Sequence, residues 1–245
     1  MNDASAHNHP GQGVGRVAAL WRYPVKSMGA EALTGAAVSW HGLAGDRRWA
    51  FVRNAAVRSG FPWLTLRERS DLARFRPAFA DPAQPDASPV LVHTPAGAVF
   101  DVVDPALASL LHPEGARPIK LDRGAFDTFP LSLISTATIA WLGERVGRRL
   151  DVARFRPNLL VDTDDGEPFA EDRWVGRVLR IGSLRLRVDK RDGRCAVITI
   201  DPASGDRDAA ILRAVVAERQ GFLGVYASTV EPGRIETGDP VMLEP

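Results

Sequence analysis

The stretch Val178-Leu-Arg-Ile-Gly-Ser-Leu-Arg-Leu-Arg-Val188 decides the fold class. It holds two short β-prone runs joined by Gly182-Ser183, and a two-residue link with glycine between such runs is typical of a β-hairpin. Similar runs recur on both sides of it, separated by turns rich in glycine and proline. They lie at residues 17–25, 32–40, 49–52, 90–92, 99–103, 159–161, 195–200, 225–230 and 241–243. The sequence therefore predicts a mostly β chain of the α+β class.

A few helices interrupt these runs. Apolar residues spaced by three and four predict an amphipathic helix within residues 132–150, with Ser132, Ser135 or Thr136 as its N-cap. Two further helices are predicted, at residues 104–111 and 207–220.

The chain is long enough for two small domains. A weak boundary near residue 115 predicts an N-terminal β-barrel subdomain over residues 14–115 that packs closely on a second β-barrel domain over residues 116–245. Residues 1–13 are polar and lack the basic start and apolar run of a secretion signal, so we expect a disordered tail.

Composition excludes several classes of function. The net charge is +1 with acids and bases mixed along the chain, which argues against bulk electrostatic binding to nucleic acid. No apolar run approaches the ~18 residues that a membrane span needs. We therefore expect no nucleic-acid or membrane partner. A monomeric cytoplasmic protein and a small-molecule substrate are expected as well.

The single cysteine, Cys195, is the most reactive candidate. One cysteine cannot form an intramolecular disulfide, which fits a reducing compartment. Arg191 and Arg194 precede it, and nearby cations favour the thiolate, a soft ligand that suits a metal already carrying sulfur. The alternative is a small buried apolar residue, because the next positions are apolar.

Four other segments carry groups that could bind an anion. Lys26 and Ser27 combine an ammonium with a hydroxyl, and Arg47 offers planar recognition of phosphate. Arg156 and Asn158 offer a guanidinium together with an amide that can both donate and accept. The fourth segment is the predicted helix start at Ser135-Thr136, whose free N–H groups could seat an anion. Each segment alone is also compatible with a solvated surface or, for the last one, with simple capping.

The order of these motifs is more specific than any one of them. Tyr23-Pro-Val-Lys-Ser, Gly45-Asp-Arg-Arg-Trp, Phe155-Arg-Pro-Asn, Gly193-Arg-Cys, Ile200-Asp-Pro-Ala-Ser-Gly and Gly238-Asp-Pro-Val follow one another. This series resembles the MOSC family, the molybdenum cofactor sulfurase C-terminal domain. It is most similar to the branch with an N-terminal β-barrel, which includes the mitochondrial amidoxime-reducing component and its bacterial relatives. The segment Leu64-Thr-Leu-Arg-Glu also resembles part of that branch.

The resemblance implies a site. In the family, a molybdenum cofactor (molybdopterin with Mo) lies in a cleft between two subdomains. Cys195 would then be the metal ligand and the catalytic residue. The cofactor-binding residues would be Lys26, Ser27 and Arg47 on one side and Arg156, Asn158 and Arg194 on the other, with Ser135 and Thr136 as looser matches.

The resemblance also implies a reaction, with alternatives left open. The first expectation is an oxidoreductase that reduces N-hydroxylated or N-oxygenated compounds. One cysteine cannot supply the ligands of a [2Fe–2S] cluster, so electrons would come from a separate protein such as a ferredoxin or a flavin- or b5-type reductase. The second is a sulfur carrier with a Cys195 persulfide for metal–sulfur cluster or cofactor assembly. Its sulfur donor would be another protein, because no pyridoxal-phosphate desulfurase domain is evident. The third is a cofactor-binding protein without turnover.

One departure from the branch concerns the substrate pocket. Lys190-Arg-Asp-Gly stands before Arg194, where the reductase relatives have Cys-Ser.

Overall fold

The computed structural model describes residues 11–54 and 61–245. Within them the chain forms sixteen strands and three α-helices, which confirms the mostly β fold class with a few helices. The strands are β1 Gln12–Arg22, β2 Glu31–Leu33, β3 Gly35–Ser39, β4 Gly42–Leu43, β5 Trp49–Arg53, β6 Arg76–Phe79, β7 Val90–His93, β8 Val99–Asp101, β9 Ala116–Lys120, β10 Leu131–Ser135, β11 Leu159–Thr163, β12 Val178–Ile181, β13 Leu184–Gly193, β14 Phe222–Glu231, β15 Gly233–Glu236 and β16 Pro240–Leu243. The helices are α1 Pro105–Leu111, α2 Thr136–Arg145 and α3 Ala209–Arg219.

Seven strands form a closed barrel in the order β11-β10-β14-β13-β12-β16-β1, and pairing of β1 with β11 closes it. The β10–β11 pair is parallel, and the other neighbours are antiparallel. Closure leaves no free strand edge in the ring. Alternate residues of the predicted hairpin, Leu184, Leu186 and Val188, are fully buried in the barrel core.

The first half of the chain builds a second core beside the barrel. The pair β5–β9 and the sheet β6-β7-β8 surround a cluster that includes Val25, Phe51 and Leu107, and Ile200 from the second half packs into it. A third small sheet joins β15 to β3 and β4. Two strands therefore link the halves. Strand β1 comes from the first half but lies in the barrel, and β15 comes from the second half but pairs with β3 of the first. The domain boundary near residue 115 stays a prediction. The β1–β11 and β3–β15 pairs both join strands from opposite sides of it.

Two local expectations require correction. Residues 195–200 form no strand: β13 ends at Gly193, and a 3-10 helix covers Ala196–Thr199. A short apolar run cannot be distinguished from a buried helical turn by periodicity alone. Of the expected tail, residues 1–10 lie outside the described residues, whereas Gln12 and Gly13 belong to β1.

The predicted helix at 132–150 is shorter than expected. Its first part is the buried strand β10, and α2 begins at Thr136 with Ser135 as the N-cap that accepts from the Thr138 N–H. The helices predicted at 104–111 and 207–220 are α1 and α3. No helix in the described ranges combines the length and the apolar character that crossing a membrane requires.

Leu186→Ala should destabilise the protein by about 2–5 kcal/mol, because it removes a fully buried side chain from the barrel core. Leu110→Ala is the matched control, since Leu110 lies on α1 with 48% of its surface exposed, and it should change stability by less than about 0.5 kcal/mol. Urea unfolding midpoints measure both. Equal effects of the two substitutions would contradict the barrel interior described here.

Candidate functional site

A cleft of about 210 Å³ lies where the two halves of the chain meet. Seven of the nine predicted site residues line it, although they are far apart in sequence. They are Lys26, Ser27, Arg47, Arg156, Asn158, Arg194 and Cys195. The cleft also gathers residues that the motif analysis did not select as ligands, chiefly Thr65, Arg67, Asp127, Ser132, Arg154, Asp192 and Tyr226. Thr65 and Arg67 belong to the Thr-x-Arg-Glu segment, so the sequence already carried a signal for them.

Backbone hydrogen bonds bring the first two motifs together. The N–H of Lys26 donates to the Trp49 carbonyl at 2.8 Å, and the N–H of Arg47 donates to the Tyr23 carbonyl at 2.7 Å. The Arg47 carbonyl in turn accepts from the N–H of Ala125 at 2.7 Å. Three separate segments therefore form one wall of the cleft.

Three cleft residues adopt a left-handed backbone conformation. Ser27 has φ +69°, Arg47 has φ +51° and Arg156 has φ +52°. Among the described residues only five non-glycine residues have positive φ, so more than half of them line the cleft. Such conformations cost free energy and persist where the surrounding contacts impose them, often at functional sites.

Tyr23 lies between two of these residues. The Arg47 and Arg156 guanidinium carbons lie 4.5 and 4.3 Å from the centre of its ring, within cation–π distance. Its hydroxyl donates to the Pro157 carbonyl at 3.1 Å. Burial raises the pKa of Tyr23 to about 12, against the opposing effect of the two arginines. The phenol is therefore protonated and neutral at physiological pH.

Most cleft cations have a carboxylate partner. Lys26 pairs with Asp127, Arg47 with Asp46, and Arg154 with Asp201. Burial lowers the pKa of Lys26, and Asp127 partly offsets that effect. Burial also acts to lower the pKa of Arg47, but the adjacent Asp46 carboxylate and the two tyrosines, Tyr23 and Tyr226, together outweigh it and the net shift is upward.

Arg156 is different. Among residues 11–54 and 61–245, no carboxylate oxygen lies within 4.0 Å of its guanidinium. It donates instead to the Met28 carbonyl at 2.6 Å. Burial lowers the pKa of Arg156 to about 10, so the group is still charged at neutral pH. A cation in this setting lacks the compensation that buried charges usually have.

Three arginine nitrogens around the cleft are buried and have no hydrogen-bond partner in the described part of the chain: Arg154 Nε, Arg156 Nη2 and Arg194 Nη2. Buried donors are satisfied in the large majority of cases in native proteins. Three unsatisfied cationic donors around one cleft are the arrangement expected for binding the oxygens of an anion.

Cys195 follows the end of β13 and precedes the 3-10 helix, partly exposed in the cleft. Arg67 Nη2 lies 3.8 Å from its Sγ. In the described residues, no three His, Cys, Asp or Glu side chains are grouped as metal ligands. The metal-ligand prediction therefore rests on this one thiol.

A buried network on three adjacent barrel strands supports Arg194. Asp192 accepts from the Ser132 hydroxyl at 3.2 Å and from Arg194 Nη1 at 3.0 Å, and it bonds to the Tyr226 hydroxyl. Burial raises the pKa of Asp192, while Arg194 acts in the opposite direction. The pairing register of β13 with β14 shifts on both sides of Arg191, and these shifts set which side chains of β13 point inward. The periodicity of the sequence cannot reveal such shifts.

Asn158 lines the cleft, but its amide already has partners. Its Oδ1 accepts from the Ser132 N–H and its Nδ2 donates to the Trp21 carbonyl, both at 3.2 Å. Asn158 therefore braces strands β1 and β10 together.

The structure does not bring Ser135 and Thr136 to the cleft. The Ser135 N–H donates to the fully buried Glu171 carboxylate at 3.1 Å, and the Thr136 hydroxyl donates to Asp162 at 2.8 Å. The start of α2 thus already holds a carboxylate of the protein itself, which satisfies the donors that suggested an anion seat.

Family models of known proteins match both halves of the chain. A family model of the MOSC domain matches residues 120–242, and a model of the MOSC N-terminal beta barrel domain matches residues 14–103. A YUAD protein from Bacillus subtilis covers 94% of this chain and 95% of its own, with a TM-score of 0.53 and 14% identity, which supports the fold alone.

Two groups of curated relatives match part of the chain. The mitochondrial amidoxime-reducing component 1 of Homo sapiens is 30% identical over 130 residues, which are 48% of this chain and 37% of that protein. Molybdenum cofactor sulfurase 2 of Culex quinquefasciatus is 36% identical over 111 residues, which are 40% of this chain and 14% of that protein. The chain therefore spans less than half the length of these relatives.

Gly224→Ala should be more destabilising than Gly147→Ala by about 1–3 kcal/mol. The two glycines share nearly the same left-handed backbone, φ +74° and +73°. A Cβ on Gly224 would lie 2.7 Å from the Leu133 carbonyl oxygen and 3.1 Å from Arg194 Nη2, whereas one on Gly147 would meet nothing within 4 Å. Urea unfolding compares them, and equal losses would refute close packing of Gly224 against Arg194.

The native protein should form no tyrosinate near pH 10. Tyr23 and Tyr226 are its two tyrosines, and burial raises both pKa values above the ordinary 10.0, that of Tyr23 to about 12. Between pH 10 and 12 the unfolded chain loses phenolic protons that the folded chain keeps, so stability should fall as pH rises through this range. Ultraviolet titration of native and urea-unfolded protein measures this difference. Superimposed curves would contradict it.

Proposed function

The chain belongs to the MOSC family, and on that premise we propose that it is a molybdenum-cofactor enzyme that reduces N-hydroxylated or N-oxygenated compounds. The observation that carries the proposal is the set of three unsatisfied, buried arginine nitrogens around the cleft that holds Cys195. The names of the relatives associate the family with molybdenum-cofactor chemistry and with amidoxime reduction.

The residues present fit a phosphorylated pterin that carries a metal. Spare N–H donors for phosphate oxygens are present on Arg154, Arg156 and Arg194. The buried, charged Arg156 guanidinium has no carboxylate partner in the described residues, so a bound anion would compensate its charge. Cys195 supplies a soft thiolate, the ligand type suited to a metal that already has sulfur ligands. Arg194 is the most firmly held of these cations, since Leu223 and Phe155 carbonyls and Asp192 all accept from it.

When bound, the cofactor would supply two-electron chemistry. In the net reaction the N–O bond of the substrate breaks, two electrons and two protons are consumed, and the oxygen leaves as water. The chain itself would provide the thiolate ligand, the cations that hold the phosphate and the neutral Tyr23 that separates two of them. This division of labour is the usual one for cofactor enzymes. The electrons would come from a separate redox protein.

A second candidate function is sulfur transfer, in which Cys195 holds a persulfide for cofactor or metal–sulfur cluster assembly. Two observations favour it: the similarity to molybdenum cofactor sulfurases, and the partial exposure of a thiol that has the Arg67 guanidinium 3.8 Å from its sulfur. This function requires no bound pterin, which separates the two proposals by experiment.

The test is the metal and pterin content of protein purified from cells that make the cofactor. We expect near-stoichiometric molybdenum in the parent, loss of metal in Cys195→Ser, and at least about tenfold weaker pterin retention in Arg156→Gln, because a charge-assisted hydrogen bond contributes about 1.5–3 kcal/mol. Arg177→Gln is the matched control, since Arg177 is exposed and, within residues 11–54 and 61–245, its side chain donates only to the Glu244 carbonyl, at 2.8 Å. A parent free of metal and pterin but carrying a Cys195 persulfide by mass spectrometry would favour sulfur transfer.

A further inference from the structure

Arg67 is placed differently from the other cations of the cleft. Its side chain is 44% exposed, whereas those of Lys26, Arg154 and Arg194 are only 6 to 7% exposed. Its Nη2 lies 3.8 Å from Cys195 Sγ, across the seam between the two halves of the chain. The buried cations face the interior of the cleft, so Arg67 is the cation that an incoming molecule meets beside the thiol.

The backbone of Arg67 is held while its head group stays accessible. Arg207 Nη2 donates to the carbonyls of Leu66 and Arg67 at 2.9 and 3.0 Å. The Thr65 carbonyl accepts from the N–H groups of Glu68 and Arg69, both at 3.0 Å, which closes a turn around Arg67. The backbone that carries the guanidinium is therefore fixed, and the guanidinium itself stays partly exposed near the sulfur.

The charges that face the cleft are unequal. Six cationic side chains line it, namely Lys26, Arg47, Arg67, Arg154, Arg156 and Arg194, against two lining carboxylates, Asp127 and Asp192, and two more, Asp46 and Asp201, that pair with Arg47 and Arg154. Asp127 weakens the field near Arg67, because its Oδ2 lies 3.6 Å from Arg67 Nη2. Asp192 is buried behind Arg194 and acts mainly on that residue. An excess of one sign of charge in a cleft concentrates ligands of the opposite sign.

We infer that Arg67 is a specificity-determining residue that makes the position beside Cys195 select anionic molecules, and disfavour cationic ones. The substrate assignment rests on the proposed function: the preferred substrates are N-oxygenated compounds that carry a carboxylate or another oxyanion. The electrostatic selection itself belongs to the protein and requires no cofactor.

Thiol alkylation tests the selection directly, because Cys195 is the only cysteine of the chain. The rates of modification by iodoacetate, an anion, and by neutral iodoacetamide are measured on the native full-length protein from cells that do not make the molybdenum cofactor, because a metal bound to Cys195 would block the thiol. Their ratio is compared with that of the same chain unfolded in urea, which removes the intrinsic difference between the reagents. We expect the native ratio to exceed the unfolded one by about fivefold, the effect of one unit charge about 4 Å away in a mostly aqueous setting.

Matched variants identify the residue responsible. Arg67→Gln should return the ratio to the unfolded value, Arg67→Lys should retain most of the preference, and Asp127→Asn should increase it. Arg177→Gln, at the exposed site described above, should leave it unchanged, and added salt should reduce it in the parent. A native ratio no higher than the unfolded one, or one that Arg67→Gln does not lower, would overturn the inference.

The substrate assignment has its own test on protein loaded with cofactor. Benzamidoxime is compared with analogues that bear a carboxylate or a trimethylammonium group on the ring. We expect KM to be lowest for the carboxylate and highest for the ammonium compound, with the order lost in Arg67→Gln. Equal KM values in the parent would refute the preference. Absence of reduction of all three would count against the proposed reductase function while leaving the alkylation result to decide the role of Arg67.

Discussion

The cleft depends on arginine side chains packed into the seam between two halves of one chain. Arg47 and Arg156 lie on either side of the Tyr23 ring, and each has a left-handed backbone that an arginine rarely adopts. The barrel and the neighbouring core hold these conformations in place, because the strands that flank them are paired and buried. The surrounding packing maintains this strain in the folded protein, which is how a protein preorganises a site.

Closure of the barrel by β1 makes that arrangement rigid. Because β1 pairs with both β11 and β16, the segment that continues from it to Lys26 and Ser27 begins on the same ring as Asp192 and Tyr226. The Asn158 amide adds a link between β1 and β10 at the same level. The two walls of the cleft are therefore parts of one hydrogen-bonded framework.

The cations of the cleft differ in how deeply their side chains are buried. The buried arginines have spare donors and are oriented by backbone carbonyls and carboxylates, which suits a fixed anionic ligand. Arg67 is exposed, held by its backbone and close to the thiol, which suits an exchanging molecule. On the proposed function, the same charge would serve retention of the cofactor at one depth and selection of substrates at another, because solvent screening weakens an exposed charge much more than a buried one.

The sequence by itself determined the mostly β class, the helices at 104–111 and 207–220, and seven residues that line one cleft, because strand patterns and motif order are properties of the linear chain. It misread residues 195–200, and its site list included Ser135 and Thr136, whose hydrogen bonds go to Glu171 and Asp162. Only the tertiary structure decided that Asp192 supports Arg194, that Arg67 reaches Cys195 and that Arg156 has no acidic partner in the described part of the chain. Those facts depend on strand register and on the approach of distant segments, such as Arg67 and Cys195, which are 128 residues apart, and no local pattern encodes them.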